Sequence, residues 1–153
     1  MRNAILKGLE IIANYLQEDP DVISIQAVDD DELDVNKREI YPLVNIRLNG
    51  VSLDDSTMTF EVTALDIRNK KKTVQRDAFN LIDDRWDNWA MCHNILKTLR
   101  DKLEIRRNEN DIDFVSSNEP LIFSNAMQNG LDGMSVILTL SYPNNTINLC
   151  KEC

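Results

Sequence analysis

Between Thr57 and Ile67 the chain alternates without a slip. Met58, Phe60, Val62 and Ala64 are apolar, and Thr57, Thr59, Glu61 and Thr63 between them are polar. Side chains of a strand point to opposite faces with a period of two. A helix would scatter those four apolar groups around its axis. The segment is therefore a strand with one buried face and one wet face. Something else in the chain must cover the buried side.

A partner strand lies just upstream. In YPLVNIRLN at 41–49, Val44, Ile46 and Leu48 alternate with Asn45, Arg47 and Asn49. Asn49-Gly50 is a turn signal, and the connection runs on through Leu53-Asp54-Asp55-Ser56. The two strands are expected to form an antiparallel hairpin.

Two helical patterns supply the cover. Over 2–18, Ile5, Leu9, Ile12 and Leu16 fall on one stripe, widened by Leu6 and Ala13. Asp19-Pro20 ends it, because the residue before proline is pushed out of the helical region. A second helix is expected from about 80 to 104. Trp86, Trp89, Leu96, Leu99 and Leu103 share a stripe there, with Cys92 or His93 between them. Asp83, Asp84 and Asp87 sit near its start, and Lys97, Arg100, Lys102, Arg106 and Arg107 toward or beyond its end. That order suits the helix dipole.

Further strands are expected at 22–28, 112–116, 120–128 and 134–142, with turns at Asn129-Gly130 and Asp132-Gly133. The expected fold is α+β: a single mostly antiparallel sheet with two helices packed on one face. At 153 residues, one domain of ordinary core is the natural size. Residues 1–146 are assigned to it, and 147–153 to a C-terminal tail.

Charge narrows the function. The net charge of −9 repels nucleic acid and anionic membrane on average. The first residues, MRNAILKGLEIIANYLQ, break their apolar run with Lys7, Glu10 and Asn14, so no signal peptide is expected. No apolar run reaches the length of a membrane span. Three cysteines make poor material for a disulfide framework, which points to a reducing compartment.

Each candidate for chemistry has a plainer reading. His93, the only histidine, has no evident nucleophile or carboxylate partner for a triad. Cys92 beside it points about 100° away on a helix. Cys150-x-x-Cys153 has the spacing of half a zinc site or of a redox pair, but only one other Cys and one His exist to complete a zinc site, and a redox pair would open a helix after a strand. The acidic run Asp29, Asp30, Asp31, Glu32 and Asp34 lacks the glycine and the closing glutamate of a calcium loop. It reads as a solvated loop, since neighbouring carboxylates repel one another. No glycine-rich phosphate loop occurs. No catalytic residue, cofactor or metal is expected, and the chain is not expected to be an enzyme.

Arg68, Lys70, Lys71 and Lys72, with Arg76 beyond them, form the only basic cluster. It fits a solvated loop, a contact to an acidic protein, or phosphate binding. No aromatic residue is interleaved for base stacking. Trp86 and Trp89 are read first as core and second as interface anchors.

The order of elements resembles the tail-terminator and tail-completion family of tailed bacteriophages. The segments that carry the resemblance are YPLVNIRL at 41–48, TMTFEVTALDIR at 57–68, WDNWAMCHNILKTLRDKL at 86–103 and LDGMSVILTLSY at 131–142. They also look similar to small neck and ring proteins of crAss-like phages of Bacteroides. The resemblance implies a virion protein made in the host cytoplasm and built into a hexameric or dodecameric ring. Such a ring sits at the head–tail junction or at the top of the tail. Its neighbours are the portal or connector and the tail tube, and genomic DNA passes through its lumen, a surface on which the resemblance would place the acidic run of Asp29, Asp30, Asp31, Glu32 and Asp34. The alternative is a nucleic-acid-binding accessory protein that uses the basic 68–76 segment.

Overall fold

The computed structural model describes residues 4–29, 41–67, 74–76, 79–81, 85–106, 112–126 and 130–142. Helix α1 (Ala4–Gln17) leads into a short strand β1 (Ser24–Gln26). The hairpin β2 (Leu43–Ser52) and β3 (Thr57–Ile67) follows, then a small separate pair, β4 (Val74–Arg76) and β5 (Phe79–Leu81). Helix α2 (Arg85–Ile105) precedes β6 (Asp113–Ser117), β7 (Leu121–Ala126) and β8 (Leu131–Ser141).

Six strands make one open sheet in the order β1-β2-β3-β8-β6, with β7 also paired to β8. All pairings in it are antiparallel except β1 with β2. The fold is thus α+β, as the hydrophobic pattern indicates.

The alternation in β3 decides which face carries the core. Met58, Phe60, Val62 and Ala64 are buried and lie opposite Leu140, Leu138, Val136 and Met134 of β8. Both helices pack on this face. The ring of Phe60 and the tip of Met58 lie under Gly8 of α1. Cys92, Ile95, Leu96, Leu99 and Leu103 of α2 join the same core. The helices are also tied together at one end. Glu18, just past α1, takes Lys102 at 3.2 Å and Arg106 at 3.0 Å.

The other face is wet in the middle. Arg47 and Glu61 bridge β2 to β3 at 2.6 Å, and the hydroxyls of Thr63 and Ser135 meet at 3.1 Å. One end of it carries a second small core of Tyr41, Leu43, Leu65 and Leu131.

Several boundaries differ from the sequence expectation. The stripe of α1 is rotated: Ile11, Ile12, Tyr15 and Leu16 are buried, while Ile5 and Leu6 are exposed. With apolar residues on neighbouring rows of the helix, the sheet beneath decides which row is buried. Asn49-Gly50 is not the hairpin turn. The register jumps from Leu48–Phe60 to Gly50–Thr59, which makes Asn49 a bulge, and β2 runs on to Ser52. The turn is at 53–56, where Ser56 takes a positive φ of 54°.

The second helix starts at Arg85, not near 80, because Phe79–Leu81 pairs with Val74–Arg76. Asp132-Gly133 is not a turn either. Both residues lie inside β8, opposite Asp66 and Leu65. Of the expected Asn129-Gly130 turn, Gly130 takes a positive φ of 67°, and Asn129 lies outside the described residues.

Strands β6 and β7 run end to end along one edge of β8. The break between them follows from Pro120, which has no N–H to donate. Asn118 repairs part of it: its backbone N–H donates to Ile137 O at 3.2 Å, and its Oδ1 accepts from Ile137 N at 2.7 Å.

Candidate functional site

Two places stand out once side chains are in position: a buried polar knot and a cleft along the sheet edge.

The knot lies where α2 begins. Asp132 is fully buried, and Asn88 is 4% exposed. Asn88 Nδ2 donates to Asp132 Oδ2 at 3.1 Å and to Ile67 O at 3.2 Å. Asp66 lies opposite Asp132 in the sheet register. Its carboxylate accepts from the N–H of Ile67 at 2.8 Å. The thiol of Cys92 lies 3.9 Å from the Asp132 carbonyl oxygen. Burial, together with the charge of Asp66, pushes that thiol up to about 12. It is therefore neutral at physiological pH and no nucleophile. The knot fastens α2 to the ends of β3 and β8.

The cleft lies between α2 and the break in the edge strand. Its volume is about 410 Å³. His93, Lys97 and Arg100 form one wall, Leu96 and Val136 its apolar part, and Asn118-Glu119-Pro120 the opposite rim. The three basic positions are spaced by four and three, so they share a row of the helix. Lys97 also touches Asp101 at 3.1 Å, and the Arg100 guanidinium lies 5.8 Å from the centre of the Phe114 ring.

The edge beside this cleft is apolar and open to water. Val115, Leu121 and Ile122 are each more than half exposed, as is Trp86 on the first turn of α2. Trp86 meets Trp89 edge-on, with ring centres 5.2 Å apart. Trp89 in turn donates its Nε1–H to Phe123 O at 2.9 Å. Trp89 is thus part of the packing, but Trp86 is not. The stripe that packs runs through Asn88, Cys92, Ile95, Leu99 and Leu103, which leaves Trp86 two positions out of phase.

The residues singled out from sequence divide as follows. His93, Trp86 and Trp89 lie on α2, with His93 exposed in the cleft wall. Asp29 is exposed after β1. Arg76 lies on the backbone of β4. Arg68, Lys70, Lys71 and Lys72 lie outside the described residues, as do Asp30, Asp31, Glu32, Asp34, Cys150 and Cys153. Among the described residues, no group of three or more His, Cys, Asp or Glu is placed to hold a metal ion. None of the described helices is long and apolar enough to cross a membrane.

Sequence reasoning missed the cleft rim and the open edge. A signal was present. Pro120 inside a strand pattern marks an edge strand, and the adjacent apolar pair Leu121-Ile122 puts a large side chain on each face of it.

No protein-family model matches the chain, and no curated protein matches it.

Proposed function

We propose that this protein is a structural subunit of a tailed-phage virion. It forms a ring at the head–tail junction or at the top of the tail, through which DNA passes. The observation that carries this reading is the open sheet edge. Val115, Leu121, Ile122 and Trp86 hold large apolar surface in water, beside a cleft with a basic wall. Exposed apolar surface of this kind marks a contact with another protein. The order of elements supports the same reading: a leading helix, the hairpin β2–β3, a long helix and closing strands.

The acidic surface suits the role physically. A wall of negative potential does not grip passing phosphates. Mass spectrometry and electron microscopy of purified particles test the proposal. Density for this chain in a ring at the neck or tail top is the expected result. Particles that assemble and eject DNA without the chain would refute it.

A further inference from the structure

The sheet edge beside α2 has a gap. Strand β6 is in register with β8 as far as Ser117–Leu138, and β7 resumes the pairing only at Leu121–Ser135. Ile137, in between, is paired through Asn118. Among the described residues, none on this edge is paired with Val136. Its side chain faces α2 with those of Met134 and Leu138, so the missing strand residue leaves room on the helix side. That room is the cleft of about 410 Å³, a volume within the range of small-ligand pockets.

We propose that this cleft is a binding site for an apolar carboxylate, a hydrocarbon body that ends in one carboxylate head. The body lies on Leu96, Val136 and Pro120, and the head meets Lys97 and Arg100, with His93 beside them. The site goes beyond the virion reading and does not rest on it.

The cations have donors left for such a head. Lys97 gives one contact to Asp101 at 3.1 Å, and an ammonium carries three N–H groups. Arg100 lies 3.6 Å from the same carboxylate, and a guanidinium carries five. Its position over the Phe114 ring, 5.8 Å from the centre, restricts where that fork can point. Hydrogen bonds between such ions are stronger than neutral ones. Glu119 sets the direction of binding. From the opposite rim it repels a carboxylate and leaves the helix wall as the favourable side.

The two halves of the lining together select the ligand. A small inorganic anion would leave the apolar floor in water. A neutral hydrocarbon would take water from Lys97 and Arg100 and give no hydrogen bond back. Two sources carry the required chemistry: a free aliphatic acid, and the C-terminal residue of a protein chain with an aliphatic side chain.

Titration followed by amide NMR tests the site. The probes are hexanoate and N-acetyl-leucyl-valine, each beside its neutral amide. An acid is expected to bind with a Kd of roughly 1 mM and to shift the signals of residues 93–100 and 117–120. Its amide is expected to bind about tenfold more weakly. Lys97→Gln with Arg100→Gln should weaken the acid by a similar factor and leave the amide unchanged, whereas Glu119→Gln should tighten the acid. Circular dichroism melts confirm that the variants stay folded. Preference for hexanoate identifies a free acid as the source, and preference for the dipeptide a protein chain end. Equal binding shows that the cleft reads the shared chemistry alone, and all three results support the site. Neither acid shifting the cleft signals at about ten times that Kd, amides that bind as well as the acids, or a double variant that binds the acid normally each overturns it.

Discussion

Asn88 and Asp132 are joined by a hydrogen bond of 3.1 Å in a place closed to water. The same Asn88 Nδ2 reaches the Ile67 carbonyl oxygen. One amide thus serves two strands. Asn88→Ala takes one donor from the buried Asp132 side chain and from the Ile67 carbonyl oxygen. The expected cost is about 2 kcal/mol. Urea denaturation checks this, with a lower midpoint at an unchanged slope.

This pair also marks what the sequence makes legible and what it hides. The period-two patterns of β3 and β8 show which residues face the helices, because alternation is a local property. Asp132 is different. Asp-Gly reads as a turn by local chemistry, and its buried partner sits 44 positions away. Nothing within a few residues reports that contact. Trp86 lies outside the core for a related reason. A single long helix offers adjacent apolar rows, and only the sheet beneath selects Cys92, Leu96 and Leu103 over Trp86. The cleft is hidden further, since it needs α2 and the strand break to be brought side by side.

Two glycines of the core separate by what surrounds them. A Cβ at Gly133 would press into the carbonyl oxygen of Ala64 and the Phe123 ring. Backbone in the middle of a sheet cannot retreat. Gly133→Ala is expected to cost about 3 kcal/mol. A Cβ at Gly8 would meet the end of the Met58 side chain at 2.7 Å, which can swing, and the Phe60 ring at 3.0 Å, which must give by a few tenths of an ångström. Alanine also favours the helix by about 1 kcal/mol, so Gly8→Ala is expected to stay within about 1 kcal/mol of wild type. Thermal melts of the two variants distinguish the cases.

Glu18 makes part of the stability depend on pH. Hydrogen bonds from Lys102 first, then Arg106, hold its carboxyl below the ordinary value of 4.5. A carboxylate lowered in the folded state contributes stability that is full above its unfolded value. That contribution is lost as the pH falls through the lower, folded value. Glu18→Gln is therefore expected to melt below wild type at neutral pH. The gap should narrow as the pH drops below 4.5 and shrink in high salt, because the pair is exposed to solvent.

Cys92 is expected to resist alkylation in the folded protein. Its thiol is fully buried and raised to about 12, so almost no thiolate exists near pH 8. Mass mapping after iodoacetamide treatment should find Cys92 modified only when denaturant unfolds the chain. Labelling at the rate of a free thiol would show that α2 opens from the sheet without global unfolding.

The two tryptophans should report different events. Trp86→Ala removes a side chain that is 62% exposed, and it should change folding stability by no more than about 0.5 kcal/mol. Trp89→Ala removes packing and the hydrogen bond to Phe123 O, and should cost about 3 kcal/mol. Emission separates their roles further. With Trp89→Phe, the remaining Trp86 should emit as a water-exposed indole at low concentration. If the sheet edge is covered by a second copy in the ring, that emission should move to shorter wavelength as the protein associates. An emission that stays fixed while light scattering reports assembly would place Trp86 outside the contact, and with it the start of α2.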